Sequence, residues 1–454
     1  MADTATRGVQ TMLGEPRRAV LSMVVPVFIA LLIGYLNTLV DSVWCSSLGV
    51  NALSAINLVS SLYFVVVGIG NGVGVGLNVA ISRRIGAGDK VGAEKCASQT
   101  FLVMILFSLP LIPILYFAMG PLISVLGGDS IMTEAKDYLF PIVMLCPFTV
   151  IMGVICGALR GEGAVRLSTI INVSAALINM VLDPVFIFIL DLGLFGASLA
   201  TMTATIIAVA IGWYAYHSGT TYIRIRRSVP EKEVLSDVAK VGIPQAIELD
   251  IMALMNFFLI YFVMRCGGTE GLAVYATPWR IITLAVVPAE AVATAMVPVC
   301  SSAVGQRDPG RLKDAFHFTT FLVITLGVLM AFILWITSGI SVLAFTYSDS
   351  MAGYRDAMAH VLRIYVLFVP FYGLIYVGSS MLSSLTKSGY SLMSSFLRNV
   401  LLIAMYAIAS YHTMEWIYWS VTVGEIIGGS FMLALAYWQF GRKYRSMTGV
   451  TAIN

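Results

Sequence analysis

Two aspartates inside apolar segments are the residues of this sequence best placed to do chemistry. Asp41 lies deep in the first apolar run, after Pro26, and Asp183 lies in a later run, four residues after Asn179. Residues four apart share a helix face, so the Asn179 amide and the Asp183 carboxyl should point the same way. Ionisable groups inside a bilayer are costly and mark ion pathways or binding sites by default.

Such a pair of carboxyl groups would bind a cation. Two carboxylates in one low-dielectric cavity repel each other, and the pair then tends to hold one proton or one Na⁺. Pro26 removes a backbone hydrogen bond from its helix and predicts a bend there. The sequence therefore predicts a coupling site at Asp41, Asp183 and Asn179 for H⁺ or Na⁺. The alternative is that Asp41 caps a kinked helix or hydrogen-bonds Asn179 purely for packing.

Four other acids lie inside apolar runs: Glu248 and Asp250 after Pro244, and then Glu290 and Glu425. Side chains two apart do not share a helix face, so at most one of Glu248 and Asp250 easily faces a cavity. Structural roles are the simpler interpretation for all four. Glu248 and Glu290 are the secondary candidates for coupling.

The elements that position these residues are membrane helices. Of the 454 residues, 59% are hydrophobic and 11% charged, whereas charge is usually about a quarter of a soluble domain. A spanning helix needs roughly 20 apolar residues, and the chain offers twelve such runs, from 19–46 to 415–440. The alternation typical of a membrane β-barrel is absent. The expected fold class is an all-α polytopic membrane protein with twelve transmembrane helices.

The sequence lacks the motifs that are typical of several other functions. The six cysteines fall singly, and no Walker-type, metalloprotease or hydrolase motif is present. No nucleophile, base and metal constellation is visible, so neither an enzyme nor a cofactor is expected. Glycines at 68, 72 and 76 line one face of an apolar run, which favours close helix packing over nucleotide binding.

Basic residues predict the orientation in a cell membrane. Most of the 27 fall in alternate connections, among them 7–18, 83–95, 224–240, the pair Lys387 and Arg398, and 442–445. By the positive-inside rule both termini are cytoplasmic. The opening residues are too polar for a cleaved signal peptide, so the first helix should remain as a span. The net charge of +3 follows from this topology and does not imply a nucleic-acid partner.

The chain also repeats itself. An offset of about 218 residues places Pro26 on Pro244 and, nearly in register, the loop 85–89 on 304–308. Two six-helix bundles in one orientation, related by an axis along the membrane normal, follow from an even number of spans per repeat. We therefore expect an N-terminal lobe at 1–220 with the cation site and a C-terminal lobe at 221–454.

The acidic site belongs to the first half only. At the same offset Asp41 meets Leu259, and Asp183 meets Ala409 at the later offset of about 226. A purely structural feature shared by both bundles would be expected in both. The asymmetry favours a functional role for the acids.

The chain resembles the multidrug and toxic compound extrusion (MATE) family, and within it the DinF-like archaeal and bacterial members. The resemblance covers nearly the whole chain. It is carried by TRGVQTMLGEPRRAVL (6–21), VDSVWCSSLGVNALSA (40–55), SRRIGAGDKVGAE (82–94), LRGEG (159–163), NMVLDPVFIF (179–188) and LGLFGASLAT (192–201).

This resemblance implies a secondary active exporter that exchanges organic cations or amphipathic drugs for H⁺ or Na⁺ by alternating access. Asp41, Asn179 and Asp183 fall on the family's amino-lobe cation site, with Thr201 nearby, and the bend at Pro26 is similar to one that family mechanisms associate with protonation.

Some positions depart from the family pattern. At positions where some relatives have polar residues around the site, this chain has Gly34, Asn37, and Cys156 or Gly157, which bears on pocket shape and ion choice. The residues expected at the cavity are Asn37 and Thr201. Glu290 stands where relatives more often have a small neutral residue.

Two other functions stay open at this stage. A flippase for a lipid-linked precursor is the main alternative, although the acids at Asp41 and Asp183 would suit an anionic headgroup poorly. A non-transporting receptor would make no use of a one-sided acidic pair. The expected partners are small organic cations or amphipathic drugs and the lipid bilayer, and two bundles in one chain make a monomer sufficient.

Overall fold

The computed structural model describes residues 2–125, 128–343, 346 and 353–449, and that part of the chain contains helices and no strand. In chain order the helices are α1 (Ala2–Leu13), α2 (Pro16–Ser46), α3 (Val50–Gly86), α4 (Lys90–Val125), α5 (Met132–Met144), α6 (Cys146–Gly161), α7 (Val165–Pro184), α8 (Gly193–His217), α9 (Lys232–Gly268), α10 (Glu270–Gln306), α11 (Pro309–Ile336), α12 (Ser338–Leu343), α13 (Arg355–Tyr365), α14 (Val369–Ser384), α15 (Ser388–Ala409) and α16 (Met414–Thr448).

Within the described residues, eleven helices are long and apolar enough to cross a membrane. A twelfth span is obtained when α5 and α6, which bend by 53° at a short break, are taken as one. Pro147 at the start of α6 has no N–H to continue the helical hydrogen-bond ladder, which accounts for the break. The prediction of an all-α polytopic membrane protein is confirmed, and its fourth span is a broken helix.

The other marked interruption lies between α9 and α10. Gly268 there has φ 60° and ψ −157°, a backbone conformation that essentially only glycine adopts without strain. By contrast, α2 is assigned as one helix from Pro16 to Ser46 with Pro26 inside it. The bend at Pro26 stays a prediction.

Contacts divide the chain into two compact units. The first comprises Met1–Asp250 with Ser301–Arg307, and the second Ile251–Cys300 with Asp308–Asn454. The beginning of α9 therefore packs with the first unit. The lobe boundary at 220 stays a prediction.

Small residues bring helices of the first unit together. A Cβ on Gly74 would collide with the backbone of Gly153 on α6, and a Cβ on Gly72 would collide with the backbone of Ala246 on α9. Gly76 likewise lies against the backbone of Val238 on α9. Because α3 presents glycine on two faces, it can approach α6 and α9 at once. The packing interpretation of the glycines is thus confirmed.

The second unit encloses an aromatic cluster and a buried ion pair. The hydroxyls of Tyr275 and Tyr406 lie 3.0 Å apart, and Tyr275 stacks on Trp279 with ring centroids 6.5 Å apart. Arg398 Nη1 donates to Glu425 Oε2 at 2.9 Å, with both side chains almost completely buried. The grouping of Arg398 with the cytoplasmic basic residues is therefore wrong. It lies inside α15, where its partner Glu425 on α16 offsets its charge.

The connector between the two halves is bound to the first unit. Glu162 Oε2 accepts the N–H of Ile223 at 2.8 Å, and Ser98 Oγ accepts the N–H of Arg226 at 2.9 Å. Gln99 Nε2 donates to the carbonyl of Val229 at 2.7 Å. Backbone N–H and C=O groups of this connector, which lie outside any helix, thus form hydrogen bonds with side chains of the first unit. The segment 218–231 therefore lies along α4 and the end of α6 and is held there by these hydrogen bonds.

In two aligned loops of the internal repeat, an aspartate caps the helix that follows. Asp89 Oδ1 accepts the N–H of Gly92 at 2.8 Å at the start of α4. Asp308 Oδ1 accepts the N–H of Arg311 at 2.9 Å at the start of α11. Each aspartate satisfies a backbone donor that the first turn of a helix leaves free. The aligned loops 85–89 and 304–308 therefore end in equivalent helix caps.

Candidate functional site

The predicted coupling residues lie in one hydrogen-bonded network of the first unit. Asn37 Nδ2 donates to Asp41 Oδ2 at 3.1 Å and to Asn179 Oδ1 at 2.9 Å. Asn179 Nδ2 donates to Asp183 Oδ1 at 2.8 Å and makes a longer contact of 3.3 Å to Thr201 Oγ1. The structure thus brings together five residues from α2, α7 and α8.

Helical spacing accounts for each half of the network. Asn37 and Asp41 are one turn apart on α2, and Asn179 and Asp183 are one turn apart on α7. After Pro184 the chain continues as a π-helical segment, Val185–Ile189. Single turns of π-helix occur frequently at functional sites, because they change which side chains face the interior.

Asn179 and Asp183 are buried, the other three side chains are half-buried, and the network is rich in acceptors. Asn179 and Asp183 are 3% and 2% exposed. Asp41 Oδ1 and Asn37 Oδ1 are buried and accept no hydrogen bond from the described residues. The carboxyl groups of Asp41 and Asp183 are close enough for a side-chain hydrogen bond once one of them carries a proton. A proton or a small hard cation would supply the missing positive charge, since such ions prefer oxygen ligands.

No basic side chain in the described part of the chain forms an ion pair with Asp41 or Asp183. Ion pairs of the first unit lie elsewhere, for example between Arg84 and Asp237 at 2.9 Å. A buried carboxylate without a fixed counter-charge is costly. The arrangement therefore suits a mobile cation better than a permanent structural salt bridge.

An apolar cluster next to the network was not foreseen from the sequence. Cys45, Ile187 and Ala197 are at most 5% exposed and pack together, with Trp44 and Tyr138 against them. Each of the three is four residues from a network residue: Cys45 on α2, Ala197 on α8, and Ile187 in the π-helical segment after α7. Helical spacing from Asp41, Asp183 and Thr201 could have identified them. Their packing keeps the surroundings of the carboxyl groups apolar, which strengthens electrostatic interactions there.

The secondary candidates lie outside this network. Glu248 on α9 is 6% exposed, and its Oε2 accepts a hydrogen bond from Gln245 Nε2 at 2.8 Å. Glu290 on α10 belongs to the second unit. Asp250, the acid we ranked below Glu248, lines a groove on the first unit.

Two further positions marked by the family pattern serve packing. Cys156 Sγ accepts a hydrogen bond from Asn172 Nδ2 at 3.3 Å. Gly157 lies against Gly74 of α3, where a Cβ would collide with the backbone. Gly34 on α2 has open space where a Cβ would be. Of these positions, at which the sequence departs from the family's polar pattern, only Asn37 belongs to the hydrogen-bonded network.

A polytopic helical chain with a repeated half and an acidic network inside its spans has the features of a membrane transporter. The family model MatE matches residues 26–185 and again 244–408. The two matches begin at Pro26 and Pro244, which is the offset of the internal repeat. The chain belongs to the MatE family, and the predicted membership is confirmed.

Relatives and solved structures agree with this assignment. The chain is 21% identical over 403 residues to the multidrug export protein MepA of Staphylococcus aureus strain bovine RF122 / ET3-1, covering 85% of each chain. It superposes on an outward-facing multidrug resistance MATE transporter of the MOP superfamily with TM-score 0.91 and 25% identity, covering 96% and 98%. A MOP superfamily transporter of Pyrococcus furiosus, described as having a binding pocket of reverse polarity and a different function, gives the same values.

Proposed function

We propose that the chain is a secondary active multidrug exporter, which exchanges organic cations or amphipathic drugs for H⁺ or Na⁺ by alternating access. Asp41, Asp183 and Asn179 hold the coupling cation. The observation that carries the proposal is the buried network in which Asn37 and Asn179 connect the two carboxyl groups. The name of the MepA relative supports drugs as the exported class.

Charge balance couples the two ligands in this scheme. A cationic substrate and the coupling cation both neutralise the same acidic pair, so binding of one weakens binding of the other. An incoming H⁺ or Na⁺ at Asp41 therefore displaces substrate to the outside. The emptied carrier then turns inward and releases its cation to the cytoplasm.

Asn37 and Thr201 are the network residues proposed to face the substrate cavity. Both side chains hydrogen-bond Asn179, at 2.9 Å and 3.3 Å. A change in occupancy of the carboxyl groups can therefore reach the cavity through one amide. Bending of α2 at Pro26 is the proposed movement that accompanies it, because proline weakens the helix at that point.

The driving force depends on stoichiometry. Moving one elementary charge across 100 mV is worth about 2.3 kcal/mol. If one monovalent drug leaves for each entering cation, the charges cancel and voltage contributes nothing. Export that responds to an imposed membrane potential would then require a second entering cation.

The orientation with both termini in the cytoplasm belongs to the same proposal. It places the connector at 218–231, with its cluster of arginines, on the cytoplasmic side. Cations then enter the carrier from outside and leave to the cytoplasm. The protein works in the cell membrane, and a single chain contains both halves needed for the cycle.

Efflux from proteoliposomes tests this function. Ethidium export would be followed under an imposed pH gradient and, separately, a Na⁺ gradient, with the native chain and with Asp41→Asn. Asp137→Asn, which changes an exposed acid of the same unit, is the matched control. Efflux that requires one gradient and is lost only in Asp41→Asn supports the proposal and identifies the ion.

Absence of efflux under both gradients in the native chain would contradict it. The lipid-linked precursor flippase would then be the function to test. Binding of a radiolabelled lipid precursor that survives Asp41→Asn would support that alternative, since an anionic headgroup gains nothing from the acidic pair.

A further inference from the structure

A groove on the first unit ends at an acidic side chain. It has a volume of about 380 Å³ and lies between α3, α4 and the first part of α9. Asp250 and Thr100 are the polar side chains among those that line it. The rest of the wall is apolar and includes Ile69, Val73, Met104, Phe107, Ile243 and Ile247.

The Asp250 side chain is half-buried, and one of its two carboxyl oxygens is enclosed by the protein. Its Oδ1 is buried and accepts no hydrogen bond from the described residues. The same oxygen lies against Gly68 on α3, where a Cβ would collide with it. Burying a polar oxygen without a hydrogen bond is unfavourable, and burying a charge without a partner is more so. A bound donor or cation would recover that cost.

The position of Asp250 along α9 limits what can reach it. The residue lies eighteen positions after Lys232, or about 27 Å along the helix at about 1.5 Å per residue. Leu235, near the start of α9, also lines the groove. The groove therefore runs from the end of the span towards its middle. A phospholipid headgroup stays near the membrane surface, so its amine does not reach this carboxyl, whereas a lipid-soluble cation does.

The groove is distinct from the network around Asp41. That network is built from α2, α7 and α8, whereas the groove is built from α3, α4 and α9. Glu248, two residues before Asp250, does not line the groove, and Gln245 donates a hydrogen bond to it. The two acids thus face different surroundings, as their spacing predicts.

We propose that this groove binds an amphipathic organic monocation taken up from the membrane, with its cationic group at the Asp250 carboxylate and its apolar body along α3 and α4. The volume lies within the range of about 300–1,000 Å³ that small-molecule sites occupy, and a mostly apolar wall with few polar groups is typical of them. Binding here requires no transport, so it stands apart from the proposed export function.

Equilibrium binding of rhodamine 6G, a fluorescent amphipathic monocation, tests the site. The full chain would be placed in phosphatidylcholine nanodiscs and titrated without any ion gradient, in an Asp41→Asn, Asp183→Asn background that removes both carboxyl groups of the acidic network. Adding Asp250→Asn should weaken binding at least tenfold, or about 1.4 kcal/mol. Glu248→Gln, which removes a neighbouring carboxylate outside the groove, should leave the Kd within about twofold.

A second pair of variants tests the groove without touching Asp250. Ile247 lines the groove and is 41% exposed, whereas Leu249 does not line it and is 43% exposed. Ile247→Trp should fill the groove and weaken rhodamine 6G binding at least fivefold, about 1 kcal/mol. Leu249→Trp adds the same volume on another face and should leave binding unchanged.

Two outcomes would overturn the proposal. Unchanged affinity in both Asp250→Asn and Ile247→Trp would show that the cation binds elsewhere. If Ile247→Trp weakens rhodamine 6G and the neutral dye Nile red alike while Asp250→Asn weakens neither, the groove takes an apolar occupant such as an acyl chain. A native chain that binds through Asp250 but shows no gradient-driven efflux would refute the export function alone.

Discussion

Asn179 donates a hydrogen bond to Asp183 at 2.8 Å, one turn further along α7. The other end of the same amide accepts from Asn37 at 2.9 Å, and Asn37 in turn donates to Asp41 at 3.1 Å. Two asparagines thus connect carboxyl groups on two helices. This chain of contacts gives the coupling proposal its most direct test, because each link can be removed separately.

Asp183→Asn should abolish coupled efflux while the protein still folds. The substitution is isosteric, and an amide can still accept from Asn179, but the site then has one carboxyl group where it had two. We expect gradient-driven ethidium efflux to fall at least tenfold, about 1.4 kcal/mol. The measurement is initial rate in proteoliposomes. Full activity in this variant would remove Asp183 from the coupling site.

Asn179→Ala should reduce gradient-driven efflux more than Thr201→Ala does. The first change removes the hydrogen bond that Asp183 accepts and the one that Asn37 donates to α7, and a bond to a charged group is worth about 1.5–3 kcal/mol. Thr201 makes only the longer contact to Asn179 and also donates to the carbonyl of Ala197 at 3.2 Å. We expect an efflux loss of about tenfold or more for Asn179→Ala and a loss of a few-fold for Thr201→Ala. The reverse order would contradict the network.

Glu162→Gln should flatten the pH dependence of stability. Burial raises the pKa of Glu162 to about 8, against the lowering effect of the backbone N–H groups of Ile223 and Tyr222 and of Lys90. A raised folded-state pKa means that the folded protein binds the proton more tightly than the unfolded chain. Its stabilising effect is complete below the ordinary value of 4.5 and is lost as pH rises through about 8.

Thermal unfolding in detergent between about pH 5 and about pH 9 measures this effect. The native Tm should fall by several degrees as pH rises, and the Glu162→Gln protein should show a smaller fall because glutamine does not titrate. Asp89→Asn, at an exposed helix cap, is a control of the same charge change. An equal fall in the Glu162→Gln protein would exclude Glu162 as the titrating group.

Gly74→Ala should destabilise the first unit, and Gly34→Ala should not. A Cβ on Gly74 would meet the backbone of Gly153, whereas none of the described atoms lies within 4 Å of a Cβ on Gly34. Overpacking of this kind typically costs about 1–3 kcal/mol, while alanine in place of an unconstrained helical glycine gains up to about 1 kcal/mol. Tm values of the two variants in detergent would therefore move in opposite directions. A stable Gly74→Ala protein would contradict the close approach of α3 and α6.

Glu425→Leu should destabilise the second unit, and the double change Arg398→Met with Glu425→Leu should recover most of the loss. Removing one partner of a buried ion pair leaves the other charge uncompensated and costs about 3–5 kcal/mol, whereas replacing both is often neutral. Tm and surface expression would report the difference. If the double variant were as unstable as the single one, the pair would contribute more than mutual neutralisation.

The sequence by itself determined that the protein lies in a lipid bilayer, that its spans are helical, and that it contains an internal repeat. Apolar run lengths are set by bilayer thickness, so the spans could be counted from residue order alone. The offset between Pro26 and Pro244 likewise needed no coordinates. Asn179 and Asp183 could be placed together, because four residues on one helix share a face.

Only the tertiary structure decided which distant residues meet. Asn37 and Asn179 are far apart in sequence, and no local pattern specifies the packing of α2 on α7 that joins them at 2.9 Å. The same limit explains Arg398. Its charge predicted a cytoplasmic position, and only the tertiary structure shows that it pairs with Glu425 on α16. It also explains Asp250 and Glu248: their spacing separates their faces, but only packing against α3 and α4 determines which face borders a groove.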